Sequence, residues 1–143
     1  STHDRDKAVA ALDRVGMTHL AGRSMASLSG GERRRVDLAA VFVQESRCVL
    51  LDEPGNHLDM HHQVAVLGGM VQQWKSQGGL VILVMHDVNL ALRFSDHLLL
   101  LFGDGEGDHG PSHARATEAA LTRLYRHQMM SLDSPEGRWY LPR

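Results

Sequence analysis

Asp52 and Glu53 stand side by side, directly after four apolar residues, Cys48 to Leu51, and directly before Pro54. An apolar run without polar alternation reads as a strand buried on both faces. The carboxyl end of such a strand is where α/β proteins bind ligands. Two adjacent acids at that end repel each other unless a cation or a phosphate chemistry employs them. The first carboxylate then holds Mg²⁺, usually through its water shell, and the second polarises an attacking water. The alternative is two exposed acids that open a turn before Pro54.

A second stretch, LSGGE from Leu28 to Glu32, precedes a charged and then apolar segment. Ser29 with Glu32 three residues later is the pattern of a capping box, in which each side chain satisfies the other's backbone N–H. Yet two glycines in a first turn weaken the helix they begin. Gly30 and Gly31 leave backbone N–H groups bare at a positive helix terminus, which suits an anion. The cap and the phosphate site are compatible. Third, His86 follows the apolar run Leu80 to Met85, the counterpart of the position of Asp52 and Glu53. A histidine there is structural or solvated, or it donates a hydrogen bond to a terminal phosphate or its attacking water.

These residues need elements to carry them. Apolar spacing predicts a helix over Asp6 to Val15, ended by Gly16, and another from Ser29 to about Gln44. After the strand at Cys48–Leu51, a helix from Met60 to about Trp74 places Met60, Val64, Leu67, Val71 and Trp74 on one face. Gly78-Gly79 ends it. A strand over Leu80–Met85, a short helix over Val88–Phe94 and a strand over Leu98–Phe102 follow. Strand, helix, strand, helix, strand predicts βαβ units: an α/β fold of mainly parallel strands with packed helices. GDGEGDHGPS, Gly103 to Ser112, reads as loop. Thr117 caps a last helix through Tyr125, and the turn at Ser134–Gly137 separates two segments able to pair as a hairpin.

The length of 143 residues is one domain or a large piece of one, and 43% hydrophobic with 22% charged residues fits a globular protein with a real core. A net charge of −2 gives no footprint for nucleic acid or for an anionic membrane surface. With Cys48 as the one cysteine, an intrachain disulfide and a zinc–cysteine cluster are excluded; its apolar setting predicts a buried, inert thiol. The apolar runs are too short to cross a bilayer and no signal-peptide pattern opens the chain, so a soluble, cytoplasmic protein is expected. His57, His61 and His62 invite a metal reading, but a solvated helix start accounts for them better.

Taken together, the pieces resemble the ATP-binding-cassette (ABC) ATPases. LSGGE resembles their signature motif, VLLDEP (Val49–Pro54) their Walker B with the catalytic glutamate, Asn56-His57-Leu58-Asp59 their D-loop, and His86 their switch histidine. Order and spacing match from about Asp4 to Phe102. The resemblance implies a P-loop NTPase-type nucleotide-binding domain. It divides the chain into part of the helical signature subdomain (1–46), the Walker B, D-loop and switch part of the catalytic core (47–102) and a C-terminal extension (103–143). It implies ATP and Mg²⁺, with Asp52 binding the metal, Glu53 acting as general base and His86 holding the γ-phosphate and water. Ser29, Gly30, Gly31 and Glu32 would face the γ-phosphate of a nucleotide bound mainly by a second, head-to-tail subunit, and Asp59 would link the two sites. Gly55 stands where threonine is commonest, Arg34 replaces a frequent glutamine, and the acidic GDGEGDHG departs from the usual short hairpin.

The phosphate-cradling P-loop is missing. Only Lys7 and Lys75 are available; Lys75-Ser76 has Gly69 at the right distance, but Trp74 stands where the second glycine belongs. GEGDHG, Gly105 to Gly110, fits GxGxxG in form and reads as loop. The chain therefore looks like the C-terminal half of an ABC ATPase, most similar to the branch that imports ferric siderophores, haem and vitamin B12. That implies permease partners in the membrane and a place on the cytoplasmic face of the inner membrane. Two other readings stand beside it: a truncated, non-catalytic fragment that only associates with partners, and a DNA-repair type ATPase. The latter lacks here its coiled coils and basic surface.

Overall fold

The computed structural model describes residues 1–56 and 58–143; the readings that involve His57 lie outside the described residues. The chain forms two compact units, Ser1–Val84 and Met85–Arg143.

In the first unit, helix α1 (Thr2–Arg14) starts earlier than the apolar spacing predicts. Ser1 and Asp4 form a capping box that secures its first turn. Gly16, at φ +69°, takes the left-handed conformation that ends it. Two single 3₁₀ turns, Thr18–Leu20 and Met25–Ser27, lead to α2 (Gly30–Val43). Strand β1 (Cys48–Asp52) pairs in parallel with β2 (Leu80–Val84) across α3 (Met60–Ser76), the predicted βαβ unit.

One core cluster joins Ala11 and Val15, Leu38, Ala39 and Phe42 of α2, Val49 and Leu51 of β1, and Val66, Met70 and Trp74 of α3. Trp74, 2% exposed, packs its ring 5.5 Å from Phe42 and donates its indole N–H to the Ser46 carbonyl at 2.8 Å. Gly79 lies so close beneath it that a Cβ there would come within 2.9 Å of the Arg47 carbonyl oxygen. The backbones of Trp74 and Arg47 accept from the N–H groups of Gly79 and Leu80, each at 2.8 Å, and set the β1–β2 register.

Three expectations change here. Burial on both faces of β1 gives way to alternation: Val49 and Leu51 are buried, while Cys48 and Leu50 are exposed, Leu50 at 65%. Among the described residues the helices cover one face, so the thiol of Cys48 is exposed and not buried. Met60 is 79% exposed, because the buried stripe of α3 begins at Val66. Lys75 sits in the last turn of α3, in line with the reading of its stretch as helix and not as a phosphate loop.

The second unit begins with α4 (Val88–Phe94), whose first turn Asp87 caps through Asn89 N–H at 2.8 Å and Leu90 N–H at 3.0 Å. Strand β3 (His97–Leu101) does not extend a parallel sheet among the described residues; it pairs antiparallel with β4 (Gly107–Pro111). The segment read as loop, including GEGDHG, is thus a hairpin. Its turn is closed by Phe102 N–H to the Glu106 carbonyl at 3.1 Å and by Asp104, which pairs with Arg123 at 2.8 Å. The glycines fit the strand because Gly107 passes the Leu100 carbonyl where a Cβ would stand at 3.2 Å.

After the short α5 (Ser112–Arg115), Thr117 caps α6 (Glu118–Tyr125) as its position predicts. Strands β5 (Met129–Ser134) and β6 (Gly137–Pro142) close as the expected hairpin. Asn89 exchanges two hydrogen bonds with the backbone of buried Tyr140, 3.0 and 2.9 Å, fastening α4 to β6. No helix among the described residues is long and apolar enough to cross a membrane.

Candidate functional site

The first unit brings two motif segments together. Ser29 caps α2 as the sequence predicts: its hydroxyl accepts the Glu32 N–H at 3.3 Å, and the Glu32 carboxylate accepts the Ser29 N–H at 2.7 Å. A hydroxyl that accepts here retains its own hydrogen for a further acceptor. Gly30 has open space where a side chain would stand, so an anion can approach the N-terminus of the helix without obstruction.

The Ser29 N–H, then its hydroxyl, holds the Glu32 carboxyl below the ordinary glutamate range. A depressed folded-state pKa gives stability that is present above the ordinary value and lost as pH falls through the folded one. The α2 cap is therefore expected to loosen only in acid below the usual glutamate titration. An NMR titration of the Ser29 amide checks this: its midpoint falls below that of a free glutamate, and Glu32→Gln abolishes it.

Asp52 closes β1 with its side chain exposed, and Glu53 follows half-buried, its N–H donated to the Val84 carbonyl at 2.9 Å as the last rung of the β1–β2 pair. Glu53 then turns left-handed, at φ +43°, immediately before Pro54. Such a conformation in a non-glycine residue costs on the order of 1–3 kcal/mol and persists only where its surroundings enforce it. Two neighbours do so. Asn56 donates from its side-chain amide to the Glu53 carboxylate, and its N–H reaches the Glu53 carbonyl at 3.1 Å. Arg34, reaching over from α2, donates one guanidinium nitrogen to the carbonyls of both Asp52 (2.8 Å) and Glu53 (3.0 Å).

Asp59 caps α3 through the His62 N–H at 3.0 Å and pairs with the His62 ring at 2.7 Å. The His62 N–H, then its ring, lowers the Asp59 carboxyl below the ordinary range. His61 and His62 occupy the first turn of α3, and among the described residues no group of three His, Cys, Asp or Glu could hold a metal. His86 belongs to the second unit, exposed, with its carbonyl accepting the Tyr125 hydroxyl at 2.6 Å.

A family profile described as "ABC transporter" matches residues 2–56. Hemin import ATP-binding protein HmuV of Nocardia farcinica is 41% identical over 133 residues, 93% of this chain and 46% of that protein. Ferric enterobactin transport ATP-binding protein FepC of Escherichia coli is 34% identical over 132 residues, 92% of this chain and 49% of that protein. The chain is thus similar, over nearly all of its length, to the ATP-binding subunits of ABC transporters. An inward-facing structure of a metal-chelate type ABC transporter matches it with a TM-score of 0.87 at 31% identity, over 99% of this chain and 58% of that one. The chain spans about half the length of the curated relatives it matches.

Two residues that hold this turn carry no site role in the motif reading. Asn56 lies in the segment that resembles a D-loop, and its proximity to Glu53 in sequence was the available signal. Arg34 stands out in the sequence only as a departure from glutamine. Its bond to the strand end spans 18 residues, and no local pattern announces it.

Proposed function

We propose that this chain is the signature, Walker B and switch portion of the ATP-binding subunit of an ABC importer. The subunit couples ATP hydrolysis to uptake of an iron-siderophore, haem or cobalamin type substrate. The observation that carries the reading is the pair of acids at the end of β1, whose backbone carbonyls are held by a residue of the helix that LSGGE begins.

Asp52 offers an exposed carboxylate at a strand end, a hard oxygen donor suited to Mg²⁺ that keeps its waters. The metal, when bound, neutralises charge on the phosphates. Glu53 takes the proton of the attacking water as general base, with Asn56 fixing its carboxylate. His86 holds the γ-phosphate and that water. Ser29, Gly30 and Gly31 present hydroxyl and amide hydrogens to the γ-phosphate of a nucleotide held chiefly by the partner subunit, and Glu32 keeps their turn in shape. Asp59, capping α3, links the two sites across a head-to-tail dimer. ATP sandwiched between two subunits drives closure, and hydrolysis reopens them.

The segment roles follow residues 1–46, 47–102 and 103–143 as signature, core and extension. The subunit rests against permease subunits at the cytoplasmic face of the inner membrane, without nucleic acid. A second reading has one observation in its favour: both lysines lie on helices, Lys7 in α1 and Lys75 at the end of α3, so the chain by itself has no P-loop cradle. On that reading the 143 residues alone associate with partners and do not turn over ATP.

Calorimetric titration tests the division of labour. The isolated chain is expected to show no micromolar affinity for Mg-ATP, and to gain it when joined to a P-loop half from a relative. Micromolar binding by the isolated chain would overturn the shared site, and no binding by the joined protein would overturn the ATPase assignment.

A further inference from the structure

We propose that Arg34 is a positioning residue for ATP hydrolysis: its guanidinium fixes the carbonyls of Asp52 and Glu53 and so holds the catalytic carboxylate in its left-handed turn. The proposal rests on the reading of Glu53 as the general base.

Three observations converge. A single Arg34 nitrogen bridges two consecutive carbonyls, at 2.8 and 3.0 Å, where the β1–β2 pairing has just ended. The second of those carbonyls belongs to a residue at φ +43° ahead of a proline, a conformation that backbone preference alone does not supply. The Arg34 Nε is buried without a hydrogen-bond partner among the described residues. An arginine held this way trades one donor's bond for the placement of the others.

The geometry also says what Arg34 connects. It lies four residues after Gly30 on α2, so the two share a helical face one turn apart. The end of α2 that would meet a phosphate and the residue that grips the carboxylate turn are therefore parts of one rod. Any displacement of the Ser29–Gly31 turn along the axis of α2 shifts the Arg34 bridge and, through it, the Glu53 backbone. A phosphate seated on the signature turn and a base aligned for attack become one arrangement.

The test uses the complete subunit with three variants. Arg34→Met keeps the length of the stem and removes every donor; Arg34→Gln keeps a side-chain NH₂ able to reach a carbonyl. Arg34→Met is expected to lower kcat at least about tenfold with KM for ATP changed less than about twofold, and Arg34→Gln to restore turnover to within about threefold of the parent. Should Arg34→Met fail to fold, Arg34→Leu, which likewise removes every donor, takes its place with the same expected loss. Amide exchange at Glu53 is expected to accelerate in the deficient variant and to return in the glutamine one. Full turnover in the donor-less variant, or a loss that glutamine does not repair, overturns the proposal. Glu53→Gln, run alongside, separates the two claims. If it abolishes turnover while Arg34→Met does not, only the proposal falls; if it leaves turnover intact, the assignment of Glu53 falls.

Discussion

Replacing Glu53 with glutamine is expected to reduce ATP turnover of the complete subunit by at least about a hundredfold, the usual contribution of a general base. Bound ATP should be retained. The substitution is nearly isosteric, and the glutamine carbonyl can still accept from the Asn56 amide, so the turn before Pro54 keeps its anchor. The Arg34 bonds go to backbone oxygens and are untouched by it. What disappears is a proton acceptor, while the groups assigned to binding remain. Steady-state phosphate release and retention of labelled nucleotide after gel filtration measure the two halves of this expectation. A fall of less than about tenfold, roughly 1.4 kcal/mol of barrier, would place the base elsewhere.

The second large effect concerns stability. Trp74→Ala is expected to destabilise the first unit by about 3–5 kcal/mol, the range for removing a buried aromatic side chain. The indole fills the space between α2 and α3 against Phe42, and it ties α3 to the residue before β1 through the Ser46 carbonyl. Gly79 approaches its ring too closely for any side chain, so the neighbouring backbone cannot easily fill the hole. Trp74→Phe separates the contributions: it retains most of the apolar contact and leaves the Ser46 carbonyl without its indole donor, costing about 1–3 kcal/mol. Urea unfolding followed by far-ultraviolet circular dichroism reads both. A loss below about 1 kcal/mol for the alanine variant would mean the core repacks around the gap.

Much of the molecule was legible because its signals are local. Ser29 with Glu32 and Thr117 before α6 satisfy helix N–H groups within three residues, and each does so in the structure. The parallel β1–β2 pair followed from two apolar runs separated by a helix of the right length. What the sequence concealed is tertiary. Strand β4 is a glycine-rich segment whose only reason to be extended is the leucine strand beside it. The exposed thiol of Cys48 depends on which face the helices cover, and composition carries no information on that. At the site, residue types and order indicated Asp52 and Glu53, but not the left-handed turn between strand and proline. The arginine that supports that turn comes from a helix ending before the strand begins, so no window centred on the acids contains it.

The alternation along β1 has a practical consequence. Cys48, Leu50, Leu80, Ile82 and Val84 line the same uncovered side of a two-stranded sheet, with Cys48 opposite Leu80 at its edge. The one cysteine of the 143 residues thus stands on an apolar surface that other polypeptide can cover. A maleimide dye would attach at a single address with no engineered residue, and its reaction rate would serve as a clock for when that side closes. The same five side chains set the handling conditions, since apolar strands left open favour self-association and call for dilute preparations.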